Sequence, residues 1–147
     1  MTSRKVDTVL AMAVEPQMII SAFTDYELLK RWWGVSKCSI SKKTDGIYFL
    51  VWQTPNGSIK YVSSGIIDAF NPTNKLKIKN FTYLCEGRPI LEGMTLEILV
   101  KSQKNGMSEV HLCQDGYQNG EHWDWYYTAV AKAWPEMLNT LKKYLEQ

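Results

Sequence analysis

The chain has 147 residues, 45% of them hydrophobic and 22% charged, a balance that excludes a disordered chain and fits one globular domain. Its 17 basic and 15 acidic residues leave a net charge of +2, and the basic residues are scattered, which argues against the patch or stripe that nucleic-acid binding needs. No run reaches about 18 apolar residues, so stable membrane insertion is not expected. The sequence therefore predicts a single domain over residues 1–147 that binds no nucleic acid.

The cysteines and the start of the sequence bear on location. Cys38, Cys85 and Cys113 are odd in number and far apart in sequence. No apolar run of the signal-peptide type occurs near the first residue. Reduced thiols and a cytoplasmic location are therefore expected.

The first third of the chain is predicted to form one strand and two short helices. Residues 4–14 make the strand, and residues 17–23 make the first helix. Thr24 and Glu27 have the spacing of a capping box, in which the first residue caps a helix and the second bonds back to it. The first helix is therefore expected to end at Thr24, and the second to run to about Trp33.

The middle of the chain changes to a two-residue periodicity, which is typical of antiparallel strands. Turn sequences rich in asparagine, glycine and proline separate the predicted strands. The strands are residues 35–41, 46–53, 58–70, 75–83, 95–101 and 107–114. Gly65 lies inside the longest strand and is expected to mark a bulge that lets it bend. Residues 85–93 are predicted to be a loop.

The last quarter is predicted to form one long helix. Large side chains recur there at steps of three and four residues, the spacing of one helical stripe. They are Trp123, Tyr127, Val130, Trp134, Met137, Leu141 and Tyr144. Pro135 is expected to kink this helix or to make it start afresh near Ala133. Ligand contact is expected before Pro135, and ordinary core packing after it.

This order of elements predicts an α+β fold. We expect a curved antiparallel sheet of six to seven strands, with two short helices after the first strand and a long C-terminal helix packed across the sheet. A curved sheet closed by a helix leaves space between them, where pockets commonly form. The aromatic content of 12% suits such a cavity, because buried Trp N–H and Tyr O–H groups need hydrogen-bond partners.

The layout resembles a known family. The segment FTDYELLKRWW, residues 23–33, is similar to the second-helix signature of that family. Shorter matching motifs follow in the same order: Asp45-Gly46, Asn56-Gly57, Gly65, Asn71-Pro72 and Ala133-Trp134. Over about residues 6–146 the chain resembles the family related to the activator of the heat-shock protein ninety ATPase, within the START and birch-pollen-allergen-like helix-grip superfamily (SRPBCC). The resemblance implies the helix-grip fold, with a cavity between the sheet and the long helix.

A set of aromatic and apolar residues, joined by one arginine of the 85–93 loop, is predicted to line that cavity. These residues are Trp33, Tyr48, Leu50, Trp52, Tyr61, Phe81, Tyr83, Arg88, Trp123, Tyr126, Tyr127, Val130 and Trp134. Plain core packing is the alternative interpretation for each of them. If the cavity exists, tyrosine hydroxyls and Arg88 are expected to orient the polar head of a ligand.

Metal and catalytic sites have weaker support. His111 and Cys113 share one strand face, but no second pair of ligands follows at a spacing that zinc sites use. If Val110 and Leu112 face the core, both residues face away from it. His122 lies beside acidic residues that suit the positive start of a helix. No metal and no cofactor are predicted.

Three functions remain. The first is non-enzymatic binding of a small hydrophobic or amphipathic molecule, such as a lipid, in the cavity. The second, which the resemblance alone implies, is a chaperone-linked interaction domain, like the activator of the heat-shock protein ninety ATPase. The third is a cyclase/aromatase-like or hydrolase-like enzyme, which needs an acid–base pair inside the cavity. The expected assembly is a monomer or a homodimer.

Overall fold

The computed structural model describes residues 4–147 and confirms the predicted α+β fold. The described elements, in chain order, are β1 (Lys5–Met12), α1 (Pro16–Thr24), α2 (Tyr26–Trp33), β2 (Lys37–Ile40), β3 (Ile47–Gln53), β4 (Ile59–Asn71), β5 (Lys75–Leu84), β6 (Leu91–Ser102), β7 (Ser108–Asp115) and α3 (Glu121–Leu145). All seven strands form one antiparallel sheet in the order β1-β7-β6-β5-β4-β3-β2. None of the helices in residues 4–147 has the length and apolarity needed to cross a bilayer.

The break between α1 and α2 is made by Asp25, and the prediction that Thr24 caps the second helix is wrong. Asp25 has an extended backbone, and its side chain accepts a 3.1 Å hydrogen bond from the backbone N–H of Glu27. Thr24 stays in α1, where its hydroxyl donates to the carbonyl oxygen of Ile20 at 3.1 Å. Its side chain is therefore occupied by the preceding turn and is not available as a cap.

A β-bulge bends the centre of the sheet. Its extra residue lies in β5, opposite Gly65, whereas the sequence predicted a bulge at Gly65 itself, in β4. From Ser64 to Ile66 the pairing advances two residues along β4 but three along β5. The extra residue is Asn80, whose φ of 50° is a left-handed value that asparagine tolerates. Gly65 is needed because a Cβ there would lie 2.4 Å from Cγ2 of Ile78.

This bulge decides which side chains of β5 face the helices. Leu76 and Ile78 are fully buried on the inner face of the sheet. Alternation alone would put Asn80 on that face next. Because the extra residue is absorbed there, Phe81 and Tyr83 take the inner positions instead, and Asn80 is exposed.

The predicted loop over residues 85–93 is too long. β6 begins at Leu91, which pairs with Tyr83 and is 2% exposed. Gly93 belongs to the predicted loop, but it lies inside the strand with φ 84°. A second register shift near it lets the strand continue, because glycine adopts that backbone without strain.

The last helix is continuous from Glu121 to Leu145, so the predicted restart near Ala133 does not occur. Pro135 lies within it and supplies no N–H to the carbonyl of Ala131. Ala131 is exposed, which puts that carbonyl on the solvent side of the helix, where water can replace the lost partner. The helix buries Tyr126, Trp134 and two leucines against the sheet.

Candidate functional site

A cavity of about 260 Å³ lies between α3 and the sheet. The strands contribute Trp52, Tyr61, Ser63, Phe81, Tyr83 and Gln114. The helices contribute Trp33, Trp125, Tyr126, Ala129, Val130, Ala133, Trp134 and Met137. Trp125, Ala129 and Ala133 are exposed, so the cavity opens to solvent along this side of α3.

Aromatic rings form a continuous arc around the cavity. Neighbouring ring centroids lie 5.4 Å apart for Trp134 and Trp33, 5.1 Å for Trp33 and Trp52, and 4.8 Å for Trp52 and Tyr61. The arc continues at 5.9 Å from Tyr61 to Tyr83 and at 4.6 Å from Tyr83 to Tyr126. Offset and tilted contacts at these distances are the favourable geometries for aromatic pairs. We call these six residues the aromatic arc.

One buried glutamine organises the polar groups of the cavity. Gln114 is 1% exposed, and its side-chain oxygen accepts a 2.8 Å hydrogen bond from Nε1 of Trp134. Its amide nitrogen donates to the hydroxyl of Tyr126 at 3.0 Å. That hydroxyl has no acceptor for its own proton among the described residues, so it can donate to a ligand. The indole N–H of Trp52 is already used, since it donates to the carbonyl of Trp33 at 3.0 Å.

The tyrosines of the cavity stay neutral near physiological pH. Burial raises the pKa of Tyr126 to about 12, against a smaller lowering by the hydrogen bond from Gln114. Burial is also the main reason why the pKa of Tyr83 lies well above its usual value, with Cys85 as a further cause. The pKa of Tyr61 is likewise raised by burial. Among residues 4–147, no lining residue of the cavity carries a carboxylate, an imidazole, a thiol or an amine.

The structure brings most of the predicted site residues to one place. Those that line the cavity are Trp33, Trp52, Tyr61, Phe81, Tyr83, Tyr126, Val130 and Trp134. They converge because the inner faces of β3, β4 and β5 meet the end of α2 and the middle of α3. A cavity is thus present where the sequence predicted one.

Tyr48 and Leu50 lie outside the cavity lining. Both are fully buried in the core, and the hydroxyl of Tyr48 donates to the carbonyl oxygen of Phe23 at 2.7 Å. They share the inner face of β3 with Trp52, but the hydrogen bond places Tyr48 beneath α1. Their positions are those of core packing.

Trp123 and Tyr127 also lie outside the lining. Their rings pack edge-on against Tyr117, with centroid distances of 6.4 Å and 5.0 Å. The predicted stripe of α3 is broader than the cavity it covers, so its first members turn toward the loop before the helix. Met137 lines the cavity although it follows Pro135, so the cavity does not divide at the proline.

Arg88 is at the rim of the cavity and not in its lining. Its guanidinium carbon lies 3.4 Å from the ring centroid of Trp125, and Nη1 lies 3.3 Å from Nδ1 of His122. Since arginine can only donate, Nδ1 of His122 is the acceptor. Arg88 also borders a second groove, of about 430 Å³, beside Ile59 and Ile90.

Sequence reasoning missed several lining residues that carried a signal. Trp125, Ala129, Ala133 and Met137 follow one another at steps of four and define a second stripe of α3. Two alanines facing a sheet of large aromatic side chains indicate space. Gln114 follows Val110 and Leu112 on the inward alternation of β7, where a polar side chain needs buried partners.

His111 and Cys113 are on the outer face of the sheet, away from the cavity. Val110, which precedes the pair, and Leu112, which lies between its members, are fully buried. Alternation therefore places His111 and Cys113 on the opposite face. Nε2 of His111 lies 2.6 Å from a carboxylate oxygen of Glu109. Within residues 4–147 no group of three or more His, Cys, Asp or Glu side chains is placed to hold a metal ion.

The chain is similar to one family of known proteins. Residues 13–146 match the family model described as Activator of Hsp90 ATPase homolog 1-like protein. No curated protein matches the sequence.

Solved structures share the fold over almost the whole chain. A Rhodobacter sphaeroides protein has a TM-score of 0.74 at 20% identity, covering 96% of this chain and 91% of its own. The solution structure of the Aha1 dimer from Colwellia psychrerythraea has a TM-score of 0.72 at 15% identity, covering 97% and 96%. An AHSA1 protein from Silicibacter pomeroyi has a TM-score of 0.69 at 17% identity, covering 97% of both chains. At these identities the structures show a common fold.

Proposed function

This chain belongs to the Activator of Hsp90 ATPase homolog 1-like family, in the SRPBCC helix-grip superfamily, and on that premise we propose that it is a non-enzymatic binding domain for a small hydrophobic or amphipathic molecule. The observation that carries the proposal is the uncharged cavity of about 260 Å³ bounded by the aromatic arc. A concave, mostly apolar site with a few polar groups is the usual form of a small-molecule site. We take the whole of residues 1–147 as one binding domain.

The volume limits the size of the ligand. One water-sized group takes about 30 Å³, so the cavity has room for about nine such groups. A ligand that buries about 200 Å² of apolar surface gains about 5 kcal/mol from the hydrophobic effect, before the costs of association. The affinity is therefore expected to be modest, in the micromolar to millimolar range.

The lining supports binding over catalysis. A cyclase-like or hydrolase-like enzyme needs a general acid and a general base within hydrogen-bond reach of the substrate. The cavity offers neutral tyrosines, one serine and one glutamine. These groups can orient a ligand by hydrogen bonds, but they supply no charged acid–base pair. The enzyme interpretation is therefore not favoured.

Native mass spectrometry of gently purified protein is the direct test. A bound molecule of low mass, or a rise in melting temperature with members of a panel of short-chain and aromatic compounds, is the expected result. Absence of any adduct together with no thermal shift across the panel would reject the proposal.

A chaperone-linked role is the second candidate, and family membership is the observation that favours it. In that role the domain would stimulate the ATPase of the Hsp90 chaperone from the same organism. An ATPase assay and a pull-down with that chaperone test it. No stimulation and no binding at tens of micromolar protein would exclude it.

Location and assembly follow the same proposal. The three cysteines are free, which suits a reducing compartment such as the cytoplasm. A monomer or a homodimer is expected, and one structural neighbour was described as a dimer. Light scattering of the purified protein measures the assembly directly.

A further inference from the structure

We propose that the ligand of the cavity is an organic acid whose carboxylate is bound by Arg88 at the rim. The inference rests on the proposed binding function and adds the charge and shape of the ligand. It depends on three observations. Arg88 is held in position by its neighbours, it has no carboxylate partner among residues 4–147, and the cavity is aromatic and uncharged.

Arg88 is held in position beside the cavity. Its guanidinium stacks on Trp125 at 3.4 Å and donates to His122 at 3.3 Å. Trp125 is itself a lining residue, so the guanidinium contacts a side chain of the cavity wall. Stacking on an indole and a hydrogen bond to an imidazole fix the plane of the guanidinium, which reduces the entropy lost when it binds an anion.

Arg88 forms no ion pair with any carboxylate of residues 4–147. Glu86 and Glu92 are close to it in sequence but are not its partners. By contrast, Arg4 binds Asp124 at 2.8 Å, on the first turn of the same helix. A guanidinium has five N–H donors in a planar fork that matches a carboxylate. His122 takes one of them, and the others are available to a ligand.

The interior of the cavity determines the chemical character of the other end of the ligand. It is uncharged, and it holds about nine water-sized groups between flat aromatic walls. A phenyl ring with two methylene groups contributes eight carbon atoms, which this volume accepts. An arylalkanoic acid, with its ring inside the arc and its carboxylate at Arg88, satisfies both ends. 3-Phenylpropionate is the simplest probe of this class.

Lys60 provides a matched control. It is exposed, and its ammonium lies 5.6 Å from the ring centroid of Tyr61, a lining residue. Lys60→Gln removes one positive charge close to a lining residue, as Arg88→Gln does, without touching the stacked guanidinium. A difference between Arg88→Gln and Lys60→Gln therefore reports a specific contact.

Calorimetric titration with 3-phenylpropionate and with its uncharged isostere 3-phenylpropionamide tests the inference. The wild type is expected to bind the acid about tenfold more tightly than the amide. Arg88→Gln should remove that advantage and leave the affinity for the amide unchanged within about twofold, while Lys60→Gln preserves the preference. Arg88→Lys, which keeps the charge but loses the fork, is expected to be intermediate.

The outcomes separate the two proposals. Equal affinity of the wild type for acid and amide, or equal weakening of acid binding by Arg88→Gln and Lys60→Gln, overturns the role of Arg88 and leaves the binding function standing. Failure of the wild type to bind either compound overturns this inference, while the broader panel decides the binding function. If Arg88→Gln does not fold, the wild-type comparison and Arg88→Lys still decide.

Discussion

The hydroxyl of Tyr48 caps the C-terminal end of α1 by donating a 2.7 Å hydrogen bond to the carbonyl oxygen of Phe23. In a continuing helix that carbonyl would accept from Glu27, but the N–H of Glu27 donates to the side chain of Asp25 instead. Both rings are fully buried. One side chain of the sheet therefore compensates for the break between the two short helices.

Tyr48→Phe is expected to lower the free energy of unfolding by about 1–3 kcal/mol, because it leaves a buried carbonyl without a partner. Urea denaturation followed by circular dichroism measures the loss. Tyr26→Phe is the control, since its hydroxyl donates to Ser36 at 2.9 Å from a side chain that is 38% exposed. Equal losses in the two variants would mean that the Tyr48 bond has no special role.

Gln114→Leu is expected to cost about 2–4 kcal/mol, because the indole N–H of Trp134 loses its acceptor and the hydroxyl of Tyr126 loses its donor in a buried setting. Chemical denaturation gives the value. Gln17→Leu, at an exposed position of α1, should change stability by less than about 0.5 kcal/mol. A small effect at position 114 would indicate that water in the cavity already satisfies these groups.

Gly65→Ala is expected to destabilise the protein by about 1–3 kcal/mol, since the new Cβ would lie 2.4 Å from Cγ2 of Ile78 in a packed core. Thermal unfolding measures this loss of stability as a lower melting temperature. Ser64→Ala changes the adjacent position without adding volume and serves as the reference. An unchanged melting temperature for Gly65→Ala would show that β4 and β5 can separate locally at little cost.

Alkaline pH is expected to unfold the protein through its buried tyrosines. The pKa of Tyr126 is raised to about 12, and those of Tyr48, Tyr83 and Tyr117 are raised further, mainly by burial. In the unfolded chain a tyrosine ionises near pH 10. Below that pH both states are neutral and these groups add no pH dependence.

Above about pH 10 the unfolded state loses protons that the folded state keeps, so stability falls as pH rises, by about 1.4 kcal/mol per pH unit for each such tyrosine. Tyrosinate absorbance should therefore rise together with the loss of circular dichroism. Ionisation of these side chains in a protein that remains folded at pH 11 would contradict the burial.

Ala133→Phe is expected to abolish ligand binding without lowering stability, because the six added ring carbon atoms would occupy the cavity. Titration with 3-phenylpropionamide measures the loss, expected to exceed about tenfold. Ala131→Phe adds the same group to an exposed position outside the cavity and should bind as the wild type does. Retained binding in Ala133→Phe would place the ligand elsewhere.

The fold was predictable because its signals are periodic and redundant. Two-residue alternation marks the strands, and asparagine, glycine and proline mark the turns between them. The spacing of the large side chains from Trp123 to Tyr144 predicts the last helix without information from other parts of the chain. The cavity followed from the order of these elements and from the excess of aromatic residues.

The finer features depend on contacts that no local pattern records. No feature of the sequence around Asn80 marks it as the extra residue of a bulge. Only the pairing of β5 with β4 and with β6 shows this. Tyr48 and Tyr61 both lie in predicted strands, yet one is core and the other cavity wall. The sequence predicts Arg88 as a cavity residue of the 85–93 loop, but its stacking on Trp125 depends on the approach of two segments that are far apart in the chain.

The extra residue at Asn80 also affects how relatives of this protein are compared. It sets the phase of β5, so a relative that has the same side chains but no bulge would turn Phe81 and Tyr83 outward and present its small polar residues to the ligand. Loss of the Asn80 codon, by contrast, would remove the extra residue together with the bulge, so both aromatic side chains would stay on the inner face. An alignment that ignores the phase of this strand would pair binding residues with solvent-facing ones.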